Sequence, residues 1–478
     1  MAAHPFMPPL RLVMGQQWTS LLRERRLRLL GLLVLALCAL ALFDAALDAR
    51  RIDTARVHDT RIEAQVWQAQ GEANPHGAAH FGRYVYKPAA PLAVLDPGLT
   101  DHLGSTVKLE GHVQNASRFR ATDGGAALYR FGGFSPALAL QVLVPLMIVF
   151  AAFGVFAGDR ARQLAWQEIG AGATAWQLML GRFAAYAAAL LLLLAMVGVL
   201  AALATVPAWS AAHLAALGLM LAGYGLYWLA FLGITLAISA AGGSSRGALF
   251  GALAFWIVAA VLAPMLAPAL ADARHPTPSA EAFEAAVTEE VMKGPDGHSP
   301  RDARFAEFEK ATLARYGVKH IDQLPINYSG LLFEHGEQAT SDIYNRHFDR
   351  LYAGYAAQAR LALAASVASP LLALRPLSAS LARTDMEAHR HFLAQADGYR
   401  YQTVQALNRD IKLNRKPQVR DYASDVAAIT RDIVFAPRPL LLAELLPRTV
   451  APFAALAAWL AGALVLMRLG AYRLEGRA

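Results

Sequence analysis

Apolar residues in this chain of 478 residues fall into six long runs in two groups, and two water-compatible stretches interrupt them. The runs are Leu27–Leu47, Ser135–Ala157, Phe183–Val206, Ala211–Ala240, Ala248–Leu270 and Val450–Leu469. At about 1.5 Å of rise per residue, each is long enough as a helix to cross roughly 30 Å of hydrocarbon. The fourth exceeds that need, so it tilts or extends past the bilayer. The expected architecture is a mainly α, polytopic membrane protein with six transmembrane helices and two large insertions. The first insertion, residues 48–134, reads as mixed α/β, and the second, residues 271–449, as mostly helical. A composition that is 56% hydrophobic and 17% charged fits lipid-embedded helices joined to water-facing domains.

Short basic flanks set the orientation, because Lys and Arg accumulate on the cytoplasmic side. Residues 1–26 carry Arg11, Arg23, Arg25 and Arg26, with Arg28 just inside the first run. The loop 158–182 carries Arg160, Arg162 and Arg182, the loop after the fourth run carries Arg246, and the end of the chain carries Arg468, Arg473 and Arg477. These flanks share one side only if residues 183–270 hold three spans, for six in total. Both termini, including the tail 470–478, are then expected in the cytoplasm and both insertions outside it. The net charge of +8 raises nucleic-acid binding, but the arginines nearest the runs sit at helix ends, where topology accounts for them. No nucleic-acid partner is expected.

About 26 residues precede the first run, and the run is span-length, so it reads as an uncleaved anchor rather than a signal peptide. Leu10–Arg26 sets Trp18, Leu21 and Leu22 against Arg23, Glu24 and Arg25, which suits a helix lying in the membrane interface. In the first insertion, helix is expected over Ile52–Gln70 and strands over Arg83–Tyr86 and Thr106–Leu109. In the second, helices are expected over Ala280–Met292, Arg301–Tyr316, Asp342–Leu374 and Met386–Asn408, with a turn at Gly294–Pro300. Leu361–Leu374 is apolar but too short to span, with Pro370 inside it. It packs in the core of its domain or on the membrane face.

No phosphate-binding loop of the G-x-x-x-x-G-K-[ST] type occurs, and neither does a G-x-S-x-G elbow or an H-E-x-x-H motif. The chain is therefore not expected to be an enzyme or to bind ATP itself. Its one cysteine, Cys38, lies within the first run, which excludes a disulfide within the chain. Twelve of the fourteen histidines lie in the insertions. His76 and His80 are four apart and His389 and His391 two apart, so each pair is a weak candidate for metal ligation. Pro75 and Gly77 argue against a stable helix at His76. Charge is nearly absent from the runs, which disfavours an ion-coupled carrier. Gly247 and Gly251 form a G-x-x-x-G pair suited to close helix packing, and Pro145, Pro264 and Pro268 are expected to kink their helices.

The loop after the second run begins Gly158-Asp159-Arg160-Ala161-Arg162-Gln163-Leu164 and continues through Trp166 and Glu168, and Gly181-Arg182 opens the next run. It resembles the Glu-Arg-x-x-Gly-Thr-Leu stretch, followed by Gly-Lys, of ABC-2 type permeases, the membrane subunits of one class of ABC transporter. Arg162-Gln163 stands where that family has its central Gly-Thr. Asn74-Pro75-His76-Gly77-Ala78-Ala79-His80-Phe81-Gly82-Arg83-Tyr84, Leu95-Asp96-Pro97-Gly98, Ser369-Pro370 and Phe392 through Tyr399-Arg400 are similar to a bacterial subfamily whose periplasmic segments form a domain of unknown function.

The resemblance implies an exporter-type bundle in the bacterial inner membrane, coupling ATP hydrolysis elsewhere to movement of a substrate. The implied partners are two ATP-binding subunits, which hold the ATP and Mg, a second permease subunit (a copy or a paralogue), membrane lipid and a periplasmic partner. Asp159, Arg160, Arg162, Trp166 and Glu168 are the expected ATPase-coupling residues, and the first and fifth runs the expected dimer-facing or pathway-lining elements. Two other readings fit the same pattern. One is a mechanical or signalling complex acting on a periplasmic partner without solute transport, and the other a membrane-anchored binding scaffold.

Overall fold

The computed structural model describes residues 7–116, 135–293, 303–416, 419 and 421–475. The turn expected at Gly294–Pro300 and the tail arginine Arg477 lie outside the described residues. The fold is mainly helical and has two parts: a bundle of apolar helices, and an appended domain assembled from both insertions.

Helix α1 (Met7–Arg23) stops at Glu24, whose extended backbone separates it from α2 (Arg25–Gln68). The expected first span and the expected Ile52–Gln70 helix are one continuous rod of 44 residues, about 66 Å long. Its first half is apolar. Its second half is held by ion pairs one turn apart, Arg51 to Asp48 at 3.2 Å and Arg56 to Asp53 at 2.7 Å. Strand β1 (Glu72–Ala73) leads to α3 (Pro75–Phe81). The expectation that Pro75 and Gly77 block a helix here is corrected. Pro75 occupies the first turn, where no backbone donor is needed, and Asn74 Oδ1 accepts the Gly77 N–H at 3.0 Å. Strands β2 (Arg83–Tyr86), β3 (Thr106–Glu110) and β4 (Val113–Gln114) then form an antiparallel sheet in that order.

The bundle resumes with α4 (Pro136–Ala152), then α5 (Asp159–Gly170), α6 (Ala175–Ala204), α7 (Ala211–Ala241) and α8 (Ser245–Arg274). The second insertion supplies α9 (Ala280–Lys293), α10 (Ala303–Tyr316), α11 (Tyr328–Ala364), α12 (Leu371–Ala382) and α13 (Met386–Asn414). Strand β5 (Ser424–Asp425) pairs with β1, and α13 packs its buried face on β3 and α3. Trp67 Nε1 donates to Thr430 Oγ1 at 2.9 Å across 363 residues of sequence. The two insertions therefore close into one domain. Its cores are Trp67, Ala78, Ala79, Val404, Leu407 and Val426 on one side and Val85, Val107, Leu109, Phe392, Ala396 and Tyr399 on the other. The last helix, α14 (Leu442–Glu475), returns to the bundle.

Among the described residues, five helices are long and apolar enough to cross a membrane: α2, α6, α7, α8 and α14. The expected second span is the shorter α4, of 17 residues. Helix α7 is central, with Tyr224, Tyr227, Trp228 and Phe231 fully buried. By contrast α2 exposes Leu29, Leu32, Leu33, Leu40 and Phe43, and α8 exposes Phe250, Met265, Leu266 and Leu270.

Two of the three prolines expected to kink helices follow a widened helical turn, Ala139–Leu143 before Pro145 and Val258–Leu262 before Pro264. Proline has no N–H to donate, so carbonyls one turn earlier lose their usual partner. Side chains from neighbouring helices bond the carbonyls of the first turn: Trp228 Nε1 to Leu140 at 2.9 Å, Tyr227 Oη to Gln141 at 2.8 Å and Trp256 Nε1 to Val142 at 3.1 Å. In the second, Ser369 Oγ donates to the Ala259 carbonyl.

That last bond anchors a feature the sequence left open. The expected single helix Asp342–Leu374 is corrected: α11 ends at Ala364, a tight turn follows, and α12 begins after Pro370. Pro370 cannot continue the ladder, and it frees the apolar segment to leave the appended domain. Helix α12 packs against α7 and α14, with Leu371, Leu374, Leu377 and Leu381 buried in the bundle core.

Candidate functional site

Helix α5 links two bundle helices. Gly158 starts it at φ 91°, a conformation that any side chain would strain, and a Cβ there would overlap Ser245 Oγ. Asp159 follows in the first turn, where a carboxylate favours the helix dipole. The inward face is tied down at three points. Ala165 is buried, Arg162 donates to the Gly242 carbonyl, and Glu168 pairs with Arg182 at 2.7 Å. Arg182 also donates to the Val155 carbonyl at 3.0 Å and lies over the Phe156 ring. Beside it, Gly181 admits α1, because a Cβ there would stand 2.7 Å from Val13 Cγ1. The Gly181-Arg182 pair thus locks α1, α4, α5 and α6 together.

The outward face of α5 is different. Asp159, Arg160, Gln163, Leu164 and Trp166 are exposed, a mixed charged and apolar strip. The five coupling residues expected from sequence therefore divide: Arg162 and Glu168 fasten the helix, while Asp159, Arg160 and Trp166 face outward. Of the small pair on α8, Gly251 lies against Ile238 of α7, with 3.2 Å available to a Cβ. Gly247 instead receives the Ser244 helix cap at 3.2 Å.

The appended domain holds the second constellation. The i, i+4 spacing on α3 sets His76 Nε2 3.2 Å from His80 Nε2. The β3–β4 turn brings in His112, which no spacing rule indicated. Gly111 N donates to the Ala79 carbonyl at 2.8 Å, holding the turn against α3. His112 itself sits at φ 63°, an unusual backbone conformation for a non-glycine residue. One ligand nitrogen from each of the three rings lies within 4.8 Å of the others. Glu337 of α11 fixes His112 twice, accepting from its backbone N–H at 2.8 Å and standing 3.2 Å from Nδ1. Phe333 stacks on the His76 ring at 3.8 Å.

Glu337 is buried and paired with Arg400, which also reaches Asp397 at 2.7 Å and Ser341 Oγ at 2.8 Å. Burial alone raises the Glu337 pKa, but the charges of Arg400 and His112 hold it below the ordinary carboxylate range.

His389 and His391 do not join the three-histidine cluster. His389 is buried 3.4 Å from Lys87 Nζ, and desolvation followed by that cation pushes its pKa down to about 3. His391 Nε2 lies 2.9 Å from the Arg438 carbonyl.

Fold and site together define a mainly helical protein with, among the described residues, five helices fit to cross a membrane and a composite domain appended to them. Residues 280–429, within the second insertion, match the model of a domain of unknown function, DUF3526. No curated relative and no solved structure matches the chain.

Proposed function

We propose that this chain is the membrane-spanning permease subunit of an ATP-driven transporter, working with separate ATPase subunits. The observation that carries the reading is α5. It is a short helix between apolar segments, fastened on its inner face by Arg162 and Glu168 and exposing Asp159, Arg160, Leu164 and Trp166 on its outer face. Such a helix can receive a soluble subunit and pass its movement through Arg182 into α4 and α6. In this reading α4 is the sixth crossing, both termini face the cytoplasm of a bacterial cell, and the appended domain lies outside. The exposed faces of α2 and α8 then meet lipid or a second permease subunit. ATP and Mg belong to the partner ATPase.

A second reading is favoured by α2, whose single rod runs from the bundle into the appended domain. ATPase movement would then act on a partner outside the membrane, with no solute crossing.

The test is the double variant Asp159→Ala, Arg160→Ala, co-expressed with the ATPase subunit of the proposed transporter. Expected is loss of ATPase association or of stimulated hydrolysis, with insertion into the membrane unchanged. Unchanged complex formation and hydrolysis would remove α5 from the coupling role. Hydrolysis by the intact complex that moves no solute in vesicles would favour the second reading.

A further inference from the structure

We infer that the appended domain binds one divalent transition-metal ion, of the zinc or copper class, through His76, His80 and His112. This site is independent of the ATPase-coupling reading.

The donor chemistry fits. Three imidazoles suit zinc and copper, and three protein ligands with an open fourth position is a recurrent zinc arrangement. Tetrahedral ligands about 2.0–2.1 Å from a zinc ion stand roughly 3.3 Å from one another. The His76 and His80 Nε2 atoms are 3.2 Å apart. With His112 included, one ligand nitrogen from each of the three rings lies within 4.8 Å of the others.

The surroundings are those of a built site. Glu337 at His112 Nδ1 is the carboxylate–histidine pairing that orients a metal-bound imidazole and raises its basicity. It favours the tautomer in which Nε2 carries the lone pair. Arg400 and Ser341 hold Glu337 in turn. Phe333 fixes the plane of the His76 ring. His80 is exposed, leaving the cluster accessible to solvent and to an incoming ion. The left-handed backbone of His112 is strained, and such strain persists where the surrounding structure enforces it, often at functional sites.

The sequence carries the same plan. In the Asn74–Tyr84 stretch, Asn74 caps α3 and Pro75 starts it. Ala78 and Ala79 pack in the core, which leaves His76 and His80 on the opposite face. Gly82 turns the chain at φ 67°, where a Cβ would collide with the Leu109 carbonyl. That turn sends β2 alongside β3 and so sets the β3–β4 turn, with His112, beside α3.

The test uses the full chain in detergent, stripped with a chelator and titrated with Zn²⁺ and with Co²⁺. One ion per chain is expected, with the visible absorption of tetrahedral Co²⁺. His80→Gln and His112→Gln should each weaken binding by about 30-fold or more, and His391→Gln should leave it unchanged. His80 is exposed, so its variant is expected to keep the wild-type tryptophan fluorescence and melting profile. It decides the question alone if His112→Gln misfolds. Absence of stoichiometric binding tighter than about 100 µM, or wild-type affinity in the His80 variant, would overturn the assignment.

Discussion

Arg400→Met is expected to destabilise the appended domain by about 3–5 kcal/mol, because it leaves a buried carboxylate without its counter-ion. Glu337 is 0% and Arg400 2% exposed at their side chains, and the pair joins α11 to α13 at the centre of the domain. Arg400 also donates to Asp397 and Ser341 Oγ, so its loss removes three charge-assisted contacts at once. Pulse proteolysis of the detergent-solubilised chain, followed by fragments from the appended domain, measures the change. The double variant Glu337→Leu, Arg400→Met removes the stranded charge along with its partner. It should therefore cost less than the single variant, since an apolar pair of similar volume tolerates burial. A single variant costing under about 1 kcal/mol would show that water or another cation already satisfies Glu337.

Asp96→Ala is expected to cost about 3 kcal/mol and to loosen α12 from the bundle. Asp96 accepts from Ser378 Oγ on α12 and, at 3.0 Å, from the Gly98 N–H. Ser378 Oγ lies 3.2 Å from Tyr224 Oη on α7, and Gln141 of α4 donates to the same tyrosine at 3.0 Å. Arg375 of α12 donates to Gln141 at 3.3 Å. This network, buried at Asp96, Gln141, Tyr224 and Ser378, joins α4, α7, α12 and the Leu95–Gly98 loop. Without the carboxylate, the buried Ser378 loses its acceptor inside a packed core, and the Gly98 N–H loses its own at the core's edge. Asp96→Asn keeps an acceptor oxygen and should cost less than half as much. The comparison reads as thermal stability in detergent, together with maleimide reactivity of a cysteine placed at Ser380, which is buried in α12. Equal stability and reactivity in wild type and Asp96→Ala would mean that apolar packing alone seats the helix.

The long apolar helices were legible because length and hydropathy decide them locally. Ala211–Ala240 differs from the observed helix by one residue. Strand β2 was legible from its short β-forming run bounded by glycine and proline. The joining of the two insertions was not. It rests on β1 and β5, two residues each, and on a bond from Trp67 to Thr430, none of which leaves a periodic signal. Helix α12 was ambiguous because an apolar segment running into Arg375 suits either a domain core or the membrane face. Tertiary partners, Ser369 on Ala259 and Gln141 on Arg375, decided it. Charge is sparse in the runs themselves, yet the loop between β2 and β3 carries the buried Asp96 against the inserted helix, a contact that the apolar pattern does not encode.

At the candidate sites, pattern reached only so far. The spacing of His76 and His80 was visible, but Pro75 was weighed as a helix breaker when its first-turn position makes it a helix starter. His112 lies 32 residues beyond His80 and enters through a turn conformation that spacing does not encode. A Gly-His pair between two short strand-like runs was the available signal. On α5, sequence grouped five residues by proximity, and only the fold separates the fastening face from the exposed one.

The most direct measurement of the permease reading is a cross-link from the outward face of α5. In a Cys38→Ala background, Trp166→Cys provides the sole thiol of the chain. Cys38 is buried, so its removal leaves the surface unaltered. With the ATPase subunit of the proposed transporter co-expressed in membranes, a short bismaleimide is expected to join position 166 to a cysteine on that subunit, and ATP is expected to change the yield. A thiol at 166 that reacts freely with soluble maleimide from the cytoplasmic side, yet never cross-links to the ATPase, would contradict the account.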